Sequence, residues 1–235
     1  MSQLEPIDVL AIGAHPDDAE LGAGGALAWA TRAGLRTAIL DLTRGERATQ
    51  GTPEERAREA AAAAELLGLT WRANLELPDA GVVDELASAA RIAALLRRVR
   101  PRCVLTHAEG EAHPDHRGCA QLVARARHIA GLARSAPAGE QAHTIERAFA
   151  FALEPQASHS LVLALDEELW QRKRAALSAH TSQLDPSGQA PHLQARGDLL
   201  ARADRASLAA GALVGAPRGE CLLHPQPLRI ESLPL

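Results

Sequence analysis

The chain has 235 residues, 46% hydrophobic and 23% charged, with a formal net charge of -4. That length can bury a sizeable core without disulfide staples, and a mildly acidic chain with no basic tract gives no electrostatic reason to bind nucleic acid or an anionic membrane. With three Trp, two Phe and no Tyr, the core has to be built mainly from Leu, Ala, Val and Ile. No apolar run approaches the roughly 18 residues of a membrane span, and Met1 to Pro6 lacks the charged-then-apolar pattern of a signal peptide, so a cytoplasmic location is expected. Cys103, Cys119 and Cys221 are odd in number and form no C-x-x-C pair, which reads as reduced packing thiols.

In chain order, Ile7 to Gly13 reads as a strand, Glu20 to Ala33 as a helix, Thr37 to Leu42 as a strand, and Pro53 to Leu67 as an Ala-rich helix with Pro in its first turn. Asn74 to Leu77 follows as a short strand, Asp84 to Arg100 as a helix stopped by Pro101, Cys103 to Thr106 as a strand, and Pro114 to Arg134 as a helix. This alternation implies parallel strands with right-handed crossovers and helices on both faces. The expected fold is α/β: a Rossmann-like three-layer α/β/α sandwich with a mostly parallel sheet. A C-terminal elaboration completes it: strands at Ile145 to Leu153 and Ser160 to Leu165, a helix capped by Asp166 and running to about His180, and a loop from Thr181 to Ala190. A helix from Pro191 to Gly211 and a strand from Cys221 to Ile230 finish the chain. No repeat or linker divides it, so residues 1–235 are read as one domain.

The first strand ends in Gly13-Ala14-His15-Pro16-Asp17-Asp18, where a dinucleotide-binding fold would carry G-x-G-x-x-G. His15 and Asp18 hold the second and third glycine positions and Asp17 adds negative charge, so a pyrophosphate would be repelled. A cation suits the loop better. His113-Pro114-Asp115-His116 follows the fourth strand and opens a helix. In a doubly wound sheet strands one and four are neighbours, and both clusters converge on the crevice at the switch point. The alternative is that Asp18 and Asp115 cap helices while the histidines bond loop carbonyls.

Three protein ligands with an open position mark a catalytic zinc site, in which a bound water becomes nucleophilic near neutral pH. Iron or another divalent metal also suits two imidazoles and a carboxylate. Asp17, beside the ligands, is placed as general base, His113 as the oxyanion or leaving-group partner, and Asp115 as the residue that orients it. Metal-assisted hydrolysis of an amide or ester follows.

The run Ala14 to Glu20 paired with His113 to His116 resembles the LmbE/PIG-L-like zinc deacetylases, which remove acetyl groups from N-acetylglucosamine-type sugars. The resemblance continues through Leu42-Thr43-Arg44-Gly45-Glu46, Gly51-Thr52 with Arg56 and Glu59-Ala60, Asn74 to Asp79, and His180-Thr181-Ser182-Gln183. It is closest to the branch that deacetylates N-acetylglucosaminyl malate in bacillithiol biosynthesis. Carried over by position, it makes His15, Asp18 and His116 the zinc ligands, Asp17 the general base and His113 the electrostatic partner. It also implies substrate contacts at Arg56 and Asp79, and further ones at Glu46, Arg44 and Gln183. An Arg fork suits a malate carboxylate; the alternatives are that Arg56 pairs with a nearby Glu and that Asp79 is a turn-former before Gly81. Some relatives use a tyrosine near the metal, and this chain has none. The resemblance further implies a small-molecule sugar substrate and a homo-oligomer, a hexamer in that branch. Other readings are a thiol-sugar S-conjugate amidase, a chitin-type sugar deacetylase, or a metal-dependent sugar-binding protein that does not hydrolyse.

Overall fold

Strands buried on both faces need apolar residues at successive positions, and the two central strands are built that way. Every residue of β1 (Val9–Gly13) and β2 (Thr37–Thr43) is buried. The computed structural model describes residues 4–136, 140–153, 161–184 and 198–224. Its main sheet has the order β3-β2-β1-β4-β5, with β3 at Trp71–Leu77, β4 at Cys103–His107 and β5 at Arg147–Phe151. All four pairings are parallel, and Ile12 lies between Leu40 and Thr106. The order reverses between β1 and β4, so the crevice expected for the two motifs is present.

The helices are α1 (Asp18–Arg32), α2 (Pro53–Leu67), α3 (Leu86–Val99), α4 (Pro114–Gly131), α5 (Glu167–Ala179) and α6 (Leu199–Leu213). One apolar cluster joins α3 and α4 to the sheet through Leu10, Ile12, Leu40, Ile92, Leu96 and Leu122. A second packs α1, α2 and α5 on the opposite face through Ala11, Leu27, Ile39, Leu67, Phe151 and Leu169. The three-layer sandwich is therefore as the alternation implies. Local chemistry sets the helix ends: Thr52 and Glu55 form a capping box before Pro53, and Gly68 closes α2 at φ 70°.

The bounds of several elements differ from the sequence reading. β3 begins at Trp71 rather than Asn74, because the charged Arg72 that interrupts the apolar pattern sits in the strand and forms a two-pronged pair with Asp41, at 2.7 and 2.9 Å. The last described strand, β7, is Arg218–Leu222 rather than a segment starting at Cys221, and it pairs antiparallel with β6 (Leu161–Leu165). Gly219 and Glu220 concealed it: neither residue type favours strands, and here Glu220 is buried. Its carboxylate accepts from Gly25 N–H (2.8 Å), Ala26 N–H (2.7 Å) and Lys173 Nζ (2.6 Å), while Nζ also donates to the Leu21 carbonyl at 2.8 Å. An ion pair inserted into the α1 ladder thus fastens the C-terminal elaboration to the main layers. Finally, α4 ends at Gly131, followed by a 3-10 turn at Ala133–Ser135. Of the segment from Pro191 expected to be helical, residues 191–197 lie outside the described residues, as do Ser160 and residues 185–190 and 225–230; α6 itself starts after Asp198, which accepts from Ala201 N–H at 2.8 Å. Among the described residues no helix is long and apolar enough to cross a membrane.

Candidate metal centre and active site

The β1–α1 turn is held by Thr43, whose backbone N–H and hydroxyl both donate to the Ala14 carbonyl, at 2.9 and 3.0 Å. His15 N–H donates to Asp18 Oδ2 at 2.8 Å, and the His15 Nδ1 atom lies 3.2 Å from the same oxygen. Asp17 precedes α1 at φ 110°, a backbone conformation that L side chains rarely adopt, and it makes no capping bond to the helix. Its carboxylate is thereby left for other work. Arg56 holds it at 3.3 Å and also donates to the Pro16 carbonyl at 2.6 Å and the Gly45 carbonyl at 3.2 Å. Gly45 is required here, because at φ 66° a methyl group would lie 1.8 Å from the Arg56 guanidinium. Burial pushes the Asp17 carboxyl up against the opposing pull of Arg56.

From β4 and α4 come the other groups. His113 caps α4, its Nδ1 accepting from Asp115 N–H at 3.2 Å, which leaves Nε2 for the cavity. The Asp115 carboxylate meets not the His113 ring but His15 Nε2, at 3.3 Å, and accepts from Ala80 N–H (2.8 Å) and Val82 N–H (3.2 Å). Neither Asp18 nor Asp115 spends its carboxylate on its own helix end, so capping does not account for these clusters. His116 Nε2 lies 3.4 Å from Asp18 Oδ1, and its Nδ1 faces buried Glu111 at 3.6 Å.

Donor atoms of His15, Asp18 and His116 all lie within 4.8 Å of one another, and those of His15, His113 and Asp115 form a second such group. His15 belongs to both, and one imidazole serves two cations only by losing both ring protons. The chemistry favours one centre at the first group, with the His15 Nε2–H donating to Asp115 and to Asp79, whose Oδ1 is 3.2 Å away. That is the usual arrangement of a metal-binding histidine and its carboxylate. The charge balance agrees: burial opposes the imidazolium of His15, yet Asp115, Asp18 and Asp79 raise its pKa well above the ordinary value. Likewise, despite burial, His116 is pushed up to about 9, mainly by Asp18. A cluster that draws protons to offset its carboxylates is suited to a divalent cation.

A cavity of about 580 Å³ opens above these residues. Of the substrate contacts inferred from sequence, Arg56, Asp79 and Gln183 line it; Glu46 and Arg44 do not. Arg56 is nonetheless buried and spent on Pro16, Gly45 and Asp17. Asp79 is buried too, accepting from Arg47 N–H at 2.7 Å, and Glu46 accepts from Asp79 N–H at 2.9 Å. Gln183 donates to the Gln50 carbonyl at 2.9 Å. Arg44 is exposed. Gly118 on α4 supports this wall: a methyl group there would sit 1.9 Å from the Val82 carbonyl oxygen. Gly118→Ala is expected to cost about 1–3 kcal/mol and to push the Ala80–Val82 backbone off Asp115, so that thermal melting and metal affinity fall together.

Behind the centre lies a buried network absent from the sequence reading. Glu20 Oε1 is 2.9 Å from His180 Nε2 and is also paired with Arg72. Burial pulls the His180 imidazolium down, but the charge and hydrogen bond of Glu20 more than offset it and the net shift is upward. A histidine raised in the folded state adds stability that is complete below its unfolded pKa of about 6.5 and is lost as pH rises through the folded value. His180→Gln keeps a donor toward Glu20 but does not titrate. Its deficit in urea midpoint against the wild type is expected to be greatest below about pH 6 and to shrink in alkali.

Residues 10–127 match the PIG-L family, described as GlcNAc-PI de-N-acetylase. The chain is 32% identical over 152 residues to 1D-myo-inositol 2-acetamido-2-deoxy-alpha-D-glucopyranoside deacetylase of Kineococcus radiotolerans, an overlap of 48% of this chain and 42% of that one. It spans about half the length of the curated relatives it matches, 42% and 57%. Among solved structures, the conserved protein TT1542 of Thermus thermophilus is 36% identical with a TM-score of 0.85, over 97% of this chain and 98% of that one. GalB, the 4-carboxy-2-hydroxymuconate hydratase of Pseudomonas putida KT2440, is 25% identical with a TM-score of 0.79, over 97% and 100%.

Proposed function

Because the chain belongs to the PIG-L family of GlcNAc-PI de-N-acetylases, we propose that it is a metal-dependent N-deacetylase acting on an N-acetylglucosaminyl conjugate. The observation that carries this is the convergence of His15, Asp18 and His116 beside an Asp17 that makes no capping bond and a cavity-facing His113. A divalent cation held by the three donors, zinc by preference, would supply a Lewis acid for the amide carbonyl and a water acidified toward neutrality. Asp17, oriented by Arg56, takes the proton of the attacking water. His113, fixed through Nδ1, donates a hydrogen bond from Nε2 to the oxyanion, and the proton taken up by Asp17 is the one passed on to the leaving amine. With no tyrosine in the chain, holding the oxyanion falls to the imidazole.

Two aglycones compete. The sequence motifs favour malate, as in bacillithiol biosynthesis, whereas the curated relatives are named for an inositol glycoside. Arg56 lends malate little support, since its fork is occupied within the protein. Acetate and free-amine release should be measured over a panel of the malate glycoside, the inositol glycoside, a chitin-type disaccharide and a thiol-sugar S-conjugate, together with metal content. Acetate from the glucosaminyl conjugates with a divalent metal bound is the expected result; a metal-free, inactive protein, or tight sugar binding without product, overturns the proposal. A second reading, hydration of an unsaturated carboxylate, is favoured by the full-length likeness to the Pseudomonas hydratase. Loss of enol absorbance from that substrate without acetate release from any conjugate would select it.

A further inference from the structure

His107 ends β4 and is 1% exposed, in the strand beside β1. Its ring stacks on His116, with centroids 4.2 Å apart and planes 15° from parallel, and its other neighbour is Phe151 at 4.7 Å. Its Nε2 lies 3.1 Å from Asp18 Oδ2 and is also the acceptor faced by the Ala14 backbone N–H at 3.1 Å, while its Nδ1 is buried without a hydrogen-bond partner. One imidazole therefore touches two of the three candidate ligands.

Two neutral tautomers compete for these contacts. With the proton on Nδ1, a buried N–H would go unsatisfied and the Nε2 lone pair would face a carboxylate oxygen, a repulsion that the low dielectric strengthens. A proton on Nε2 instead donates to Asp18 in a charge-assisted bond, at the cost of the acceptor of the buried Ala14 N–H; each tautomer thus leaves one buried N–H unpaired, and only this one turns the repulsion at Asp18 into an attraction. The second arrangement wins. Asp18 Oδ2 then receives donors from both His107 and the His15 backbone, at 3.1 and 2.8 Å, and Oδ1 is left facing His116.

We infer that His107 is a positioning residue of the metal centre, its Nε2–H fixing the Asp18 carboxylate and its ring backing His116. The inference rests on the metal-centre reading above and concerns affinity for the cation rather than a chemical step. Outer partners of this kind are worth about 10- to 100-fold in metal affinity.

The test is zinc affinity of the full chain, stripped and retitrated against a chromogenic chelator, for wild type, His107→Phe and His107→Gln. Phenylalanine keeps the stacking surface and removes the donor; glutamine places an amide N–H near the position of Nε2. The expected result is affinity weakened about 10- to 100-fold in His107→Phe and largely recovered in His107→Gln, a rescue that a purely space-filling role would not produce. Wild-type affinity in His107→Phe, or equal loss in both variants, overturns the inference while leaving the metal centre standing. A wild-type protein that takes up no zinc overturns the metal centre itself. Should His107→Phe fail to fold, His107→Asn, whose amide is too short to reach Asp18, replaces it with the same expectation.

Discussion

Asp17→Asn is expected to slow acetate release by about 10²- to 10⁴-fold, the usual contribution of a positioned general base, with bound metal and thermal stability close to wild type. The substitution isolates proton acceptance because the surroundings tolerate everything else about it. Asn is among the few residues that accept a positive φ, so the 110° backbone at this position is not penalised further. No capping bond is lost, since the Asp17 side chain makes none to α1. The amide oxygen can still accept from Arg56, which stays anchored by the Pro16 and Gly45 carbonyls. Steady-state kinetics on the best conjugate of the panel should therefore show kcat falling with little change in KM. Turnover at the wild-type level would remove Asp17 from the mechanism and leave the cation and His113 to account for the rate.

The motifs around His15 and His116 could be read from the chain because each is local, and the parallel alternation makes strands one and four neighbours. Their meeting point follows from topology without any knowledge of side-chain packing. Arg56 is a different case. Its place on α2 is legible, but nothing in the local spacing says that Gly45 vacates the space through which the guanidinium reaches the Pro16 carbonyl. A fork suited to a ligand carboxylate is used instead to steady Asp17. Asp115 likewise sits beside His113 in the chain yet pairs with His15, because α4 turns the carboxylate toward the Ala80 and Val82 amides.

His107 and Glu111 carried no motif at all. They are single residues whose partners, Asp18 and His116, are set by the register of β4 against β1 and by the path from β4 into α4. The one available signal was position: His107 is the last residue of the strand that neighbours β1. Glu20 and His180 lie 160 residues apart and are joined only when α5 packs on α1. Such buried pairings depend on tertiary docking, which no local pattern encodes.

Substituting a candidate ligand should have an effect at least as large as the loss of Asp17, and His116→Gln separates the cause. Glutamine fills much of the space of the imidazole, and buried Glu111 keeps the Leu153 N–H as its donor at 2.6 Å, but the amide is a poor ligand for zinc. Purified His116→Gln is expected to hold far less metal and to release acetate at least as slowly as Asp17→Asn while staying measurable above background, and added zinc should not restore it, whereas wild type stripped by a chelator should recover on readdition. The double variant with Asp17→Asn decides whether the two act as a unit. If the Asp17 carboxylate serves the water activated at the centre, removing it from a protein that no longer forms the centre costs nothing more, and the double variant matches His116→Gln alone. Multiplicative losses would mean that Asp17 acts on the substrate independently of the cation, and the single-centre mechanism would give way to one in which the carboxylate works alone.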